Sequence, residues 1–199
     1  MHQPPRKADS ARWTLSFNPF GVLELQAAAG LGIGYAISQH WQVWSETSEL
    51  FQLYPGQHQS CLGGIREILA LKYYFGYRQA FFVAGEFRYK DVHYHDVADF
   101  NGYANFPSVN HYTYSLENVI FGGAGWFGAR INISDNHRWR LEPSLGFGLK
   151  GRTVVWHGVP AGYQYKGEDW QHEILDDTPR TPARQTPYVP ASLRLVYAL

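Results

Sequence analysis

The residues best equipped for chemistry lie near the middle of the chain. His93 and His95 stand two apart, so on a strand they point to the same side, with Asp96 and Asp99 beside them and His111 across a short polar stretch. Imidazoles joined by a carboxylate can hold zinc or copper. No spacing fixes a third ligand, however, and a polar rim rich in histidine accounts for the same residues, so no metal and no cofactor are expected. Covalent catalysis needs a nucleophile beside a base. His93, His95, His111 and His157, with Ser108 and Ser115, supply both residue types, but none of their spacings pairs them, and the chain is not expected to be an enzyme. Gly146-Phe147-Gly148-Leu149-Lys150-Gly151 matches G-x-G-x-x-G. A dinucleotide site needs that loop between a strand and a helix, whereas here it falls inside an alternating run. Cys61 is the only cysteine, so no internal disulfide forms, and 17 basic against 17 acidic residues leave no basic footprint for nucleic acid.

These readings depend on the elements that carry the residues. From Trp139 every second residue is apolar (Trp139, Leu141, Pro143, Leu145, Phe147, Leu149), while the set between them is Arg140, Glu142, Ser144, Gly146, Gly148 and Lys150. Strict alternation of this kind is a β-strand. Glycine covers nothing on a solvated face but is useful where facing side chains crowd. The polar face therefore reads as a narrow interior and the apolar face as an exterior, the pattern of a membrane barrel. The run from Leu25 repeats it, with Leu31, Ile33, Tyr35 and Ile37 opposite Gly30, Gly32, Gly34 and Ala36. Leu193, Leu195, Tyr197 and Leu199 likewise oppose Ser192, Arg194, Val196 and Ala198.

Strand-like runs fall at 12–20, 25–37, 41–53, 65–75, 81–95, 113–133, 139–156 and 189–199, the third with poor alternation. Short polar turns occupy 38–40, 76–79 and 134–137, and long connections lie at about 55–64, 96–112 and 157–188. No run reaches the roughly 18 apolar residues of a spanning helix. The expected fold is all-β: an eight-stranded antiparallel up-and-down transmembrane β-barrel over residues 12–199, following a polar periplasmic segment at 1–11. Trp13, Trp41, Phe75, Phe81, Trp139 and Tyr197 should form an aromatic girdle at the tight-turn rim, and Tyr54, Tyr89, Tyr112 and Tyr188 one at the other. Glu117 should face outward above the hydrocarbon. Trp126 should point inward into space left by Gly30, Gly32, Gly146 and Gly148, and Pro143 should mark a bulge.

On this parity Glu46, Lys72, Glu86, Arg88, Lys90, Arg130, Arg140, Glu142, Lys150 and Arg152 share the interior. Charges in so narrow a space must pair, because an unpaired buried ion is costly. They can form a salt-bridged plug or an ion path, and the size of an eight-stranded interior favours the plug. The last loop, 157–188, holds Tyr163, Tyr165 and Trp170 and a threonine-proline-arginine stretch. It suits either a contact surface for protein or glycan or a mobile surface loop.

With these features the chain resembles the small eight-stranded outer-membrane barrels, such as the OmpA membrane domain and OmpX. It is also similar to a group of Bacteroidota outer-membrane barrels that combine an Asn-Pro in the first strand (Asn18-Pro19), a glycine-rich second strand and a Gly-x-Gly in the seventh. Its end, Tyr197-Ala198-Leu199, departs from the terminal aromatic common in such barrels. The resemblance implies a chain exported with a signal peptide absent from this sequence, lodged in outer-membrane lipid among other outer-membrane proteins. The expected role is that of a non-enzymatic structural or interaction barrel, for instance an accessory subunit of a larger outer-membrane complex. The alternatives are an outer-membrane enzyme acting on lipid or peptide, and a small channel.

Overall fold

The computed structural model describes residues 12–19, 27–51, 59–102, 109–158, 163–165 and 185–199. Its strands are β1 (Trp13–Asn18), β2 (Ala27–Ala36), β3 (Trp41–Phe51), β4 (Gln59–Phe75), β5 (Phe81–Gly102), β6 (Val109–Ala129), β7 (Ile131–Asn132), β8 (Trp139–His157), β9 (Tyr163–Tyr165), β10 (Gln185–Tyr188) and β11 (Ala191–Ala198). Consecutive strands pair antiparallel from β1 to β6. The circuit then runs from β6 to β8, from β8 to β11 and from β11 back to β1, closing the sheet. β7 prolongs β6 and β10 prolongs β11 against the same neighbour, β8, so these segments build an eight-stranded up-and-down barrel.

The closure has a measurable pitch. Stepping through Cα partners from Thr14 leads to Gly34, Trp44, Ala70, Glu86, Ala124, Gly148 and finally Tyr188. The β11 partner of Thr14 is Ala198, and Tyr188 lies ten residues before it, so the wall closes with a stagger of ten residues. Ten residues of roughly 3.3 Å rise, set against eight strands about 4.8 Å apart, incline the strands by roughly 40° to the axis. The cylinder this makes is just wide enough for side chains to fill.

Prolines sit where the ladder lapses. Pro190 separates β10 from β11 without changing the register, and its carbonyl accepts from Gly146 N at 2.8 Å. Pro143 does not produce the expected bulge. Pairing between β8 and the β6–β7 strand stops after Ser144↔Gly128 and resumes at Leu141↔Ile131 in the same register, while Pro143 keeps its partner Leu193 on the other side. The missing donor of Pro143 thus costs one stretch of ladder and no extra residue.

Strands also run further than alternation predicts. β4 begins at Gln59, β5 reaches Gly102 and β6 starts at Val109, so much of the expected loops at 55–64 and 96–112 is ladder. Register shifts fall between Cys61 and Gly63 and between Ala98 and Phe100. Backbone pairing there does not need one face dry and the other polar, so the sequence pattern fades before the hydrogen bonds do. Within the last loop, β9 pairs with Phe100–Gly102 of β5, and β10 belongs to the wall.

The inside-out polarity holds on every wall strand. β1 and β11 alternate perfectly between buried and accessible positions. β3, whose alternation is hardest to read in the sequence, does the same, burying Gln42, Trp44, Glu46, Ser48 and Leu50. The inward glycines serve several neighbours. A Cβ at Gly146 would stand 3.0 Å from the Trp126 ring, as expected, but one at Gly32 would meet Ser16 and, at 2.8 Å, Nε1 of Trp44, and one at Gly30 would press on Ser48 and Glu46. Tyr188 does not join the loop-side girdle. It shares the inward parity of Gly148, its β8 partner, and lies beneath Arg88 at 5.4 Å and Lys150 at 5.9 Å. The turn-side girdle is present, with ring pairs Trp13–Tyr35 at 4.7 Å, Trp41–Tyr73 at 4.9 Å and Trp139–Tyr197 at 4.8 Å.

Glycine position therefore predicts tolerance. Gly148→Ala puts a methyl against the Gly123 carbonyl and within 2.8 Å of Ala124 Cβ, whereas at Gly125 an added Cβ meets nothing within 4 Å. Equilibrium urea unfolding should show Gly148→Ala destabilised by about 1–3 kcal/mol, the usual cost of overpacking, with Gly125→Ala near wild type. Equal midpoints for the two variants would contradict the assigned faces.

Candidate functional site

The interior is organised by two glutamates, each held by partners from distant parts of the wall. Glu142 of β8 accepts from Lys72 Nζ at 2.7 Å and from the Tyr74 hydroxyl at 3.2 Å, both on β4, and from Arg130 Nε at 3.4 Å. Tyr74 can reach this point because β4 turns its even-numbered residues inward, and its hydroxyl also lies 2.6 Å from Gln42 Oε1. Gln42 in turn donates to Thr14 at 2.8 Å. Strands β4 and β8 are not wall neighbours, since β5 and β6 stand between them, so the Lys72–Glu142 pair is a strut across the lumen.

Glu46 of β3 makes a second strut. It takes Arg194 Nε of β11 at 3.2 Å, Arg66 Nη2 of β4 at 3.3 Å, Asn18 Nδ2 of β1 at 3.3 Å and the Ser48 hydroxyl at 3.2 Å. Arg194 lies over the Trp44 ring at 4.1 Å, and Trp44 donates through Nε1 to Ser16 at 3.0 Å. Arg130 stacks on Tyr74 at 3.6 Å. Aromatic faces thus supply the second contact for cations that carboxylates alone could not surround. Glu142 and Glu46 are each only 1% exposed, and these donors replace the water that burial removes.

Every residue of the expected lumen network lies at an inward position. Glu86 and Arg88 form an i, i+2 pair on β5 at 3.0 Å, and Arg140 donates through Nε to the His137 carbonyl at 3.1 Å. Lys90, Arg140, Lys150 and Arg152 each have further partners. Two anchors were not included in that network, Arg66 and Arg194. Both were readable from alternation: Arg66 shares the parity of Lys72 near the loop-side start of its run, and Arg194 lies in mid-strand on the inward face that the alternation of its run already gives. Trp44 is a third such residue, on the parity of Glu46.

His93 and His157 stay apart from this interior. His93 faces outward on β5 with Nε2 3.6 Å from Asp91, and His157 on β8 has Nε2 3.3 Å from Glu117, which is outward as expected. The side chains of His95, His111, Tyr163 and Tyr165, and the whole of Trp170, lie outside the described residues. Among the described residues no three of His, Cys, Asp and Glu converge as a metal-holding group. A comparison with family models, curated proteins and solved structures finds no match to this chain.

Proposed function

We propose that this chain is a non-enzymatic integral outer-membrane barrel with a plugged lumen, acting as a structural or interaction protein within a larger outer-membrane assembly. The observation that carries this reading is the belt of large apolar side chains on the outer wall. Leu31, Leu69, Phe87, Phe127, Leu145 and Phe147 are each more than half exposed, and they belong to five strands. On β8 the belt runs from Trp139 to Leu149. These ten residue steps span about 33 Å along the strand and, at the strand inclination, about 25 Å along the axis, the height of the apolar band of an outer-membrane barrel. A water-soluble protein rarely exposes a contiguous apolar patch beyond a few hundred Å². The struts at Glu142 and Glu46 favour a plug over a pore, because they fill the lumen with paired side chains.

Cysteine labelling provides the direct test. In detergent-free membranes Leu145→Cys should react with an apolar maleimide and resist a membrane-impermeant charged one, and the chain should migrate differently on gels with and without heating. A chain that stays soluble and monomeric without detergent, or a cysteine at 145 freely reactive with the charged reagent, would overturn the proposal.

A further inference from the structure

The belt is not uniform around the circumference. On β8, β11, β1 and β2 it is continuous, through Leu145, Phe147, Leu193, Leu195, Phe17 and Ile33. On the β3–β6 side it is broken in two ways. Outward positions of β3 turn polar from Ser45 upward, although Ser45 is partnered by Ile33 and Leu69, Thr47 by Leu31 and Glu67, and Glu49 by Ala29 and Ile65. Thr47 Oγ1 donates to Glu67 Oε2 at 2.9 Å on the exposed surface. Two strands away, Gly85 and Gly125 are direct cross-strand partners on the outer face, and a Cβ at either would meet nothing within 4 Å. This leaves a hollow beside the protruding rings of Phe87 and Phe127.

Charge is sorted in the same direction. Every described Lys and Arg within a wall strand has inward parity, and the described outward charges of the strands are the carboxylates Glu49, Glu67, Asp91 and Glu117, all on β3–β6. Polar groups on a lipid-facing wall are costly and mark contacts, and small residues let another backbone approach closely.

We propose that the β3–β6 face is the docking surface for a different membrane protein, whose wall brings a Lys or Arg to Glu49 and Glu67 and a bulky apolar side chain into the hollow over Gly85 and Gly125. This inference rests on the membrane reading above. A second copy of the chain fits poorly, since its own outer strands offer carboxylates and no described cation. Lipid also fits poorly. Acyl chains carry no donor, and headgroup cations sit above the chains, whereas Ser45 and Thr47 share cross-strand lines with Ile33, Leu31 and Leu69.

A photo-crosslinking residue placed at Leu69, between the notch and the hollow, tests this in membranes of the source cells, with Leu195 on the opposite wall as the control position. The expected result is one protein adduct from position 69 and none from 195, mapped by mass spectrometry to a membrane segment containing Lys or Arg. That adduct should fall roughly tenfold or more in the double variant Glu49→Gln, Glu67→Gln, as for loss of a buried charge pair. It should fall similarly in Gly125→Leu, which fills the hollow without touching the interior. Adducts with lipid alone, with a second copy, or with yields unchanged by these variants would overturn the inference. Heat-modifiable migration and retention in the membrane pellet, scored on the same samples, report separately on the membrane reading.

Discussion

Glu142→Gln should destabilise the barrel by about 3–5 kcal/mol, the characteristic loss when one partner of a buried ion pair is removed. The substitution keeps the shape but removes the charge and turns one acceptor oxygen into an N–H donor facing other donors, so the loss combines both effects. Lys72 Nζ at 2.7 Å and Arg130 Nε at 3.4 Å would both remain in the lumen facing a neutral amide. Lys72 is itself only 2% exposed, so water cannot take over. Urea unfolding in lipid vesicles, followed by tryptophan fluorescence and by the heat-shifted gel band, measures the change. Because well-packed apolar residues often replace a buried pair without loss, Lys72→Met combined with Glu142→Leu should recover a large part of the stability. An unchanged midpoint for Glu142→Gln would mean that the strut between β4 and β8 does not bear on stability.

The second large effect belongs to the outer wall. Leu145→Arg should cost about 2–4 kcal/mol of folding free energy in a bilayer, and Val155→Arg on the same strand about 0–1, because the cost of a lipid-facing cation falls from the midplane toward the interface. Both side chains point outward, with Leu145 59% and Val155 41% exposed. In water both substitutions would be nearly neutral. The difference between them therefore measures the membrane itself, through refolding yields in vesicles of graded thickness. Equal and small effects at the two sites would remove the belt as support for the proposed function.

The struts differ from the belt in how far the sequence reveals them. A strand has a period of two, so once Arg140, Glu142 and Ser144 alternate with Leu141, Pro143 and Leu145, each residue's face follows from local covalent geometry. That was enough to place Glu46, Lys72, Glu86, Arg88, Arg130, Arg140, Glu142, Lys150 and Arg152 in the interior and Glu117 outside. It also sufficed to discount the G-x-G-x-x-G match, which β8 carries in mid-strand. Where the pattern weakened near the loops, the reading stopped short. Arg66 escaped the network, Tyr188 was assigned to the rim, and the ends of β4, β5 and β6 were taken for loop, whereas Arg194 was placed on the inward face but not counted among the network's charges.

Alternation by itself determined the strand number, the inside-out polarity and most of the membership of the lumen. Tertiary structure alone decided the pairings. Whether Lys72 meets Glu142 or Glu46 depends on the register of every ladder between their strands and on the ten-residue stagger at closure, a sum over the whole circumference. The same sum sets the hollow at Gly85 and Gly125 beside the polar notch at Ser45 and Thr47. No local stretch encodes that juxtaposition, because a single residue's slip in one ladder would turn a strand's faces over and shift everything beyond it.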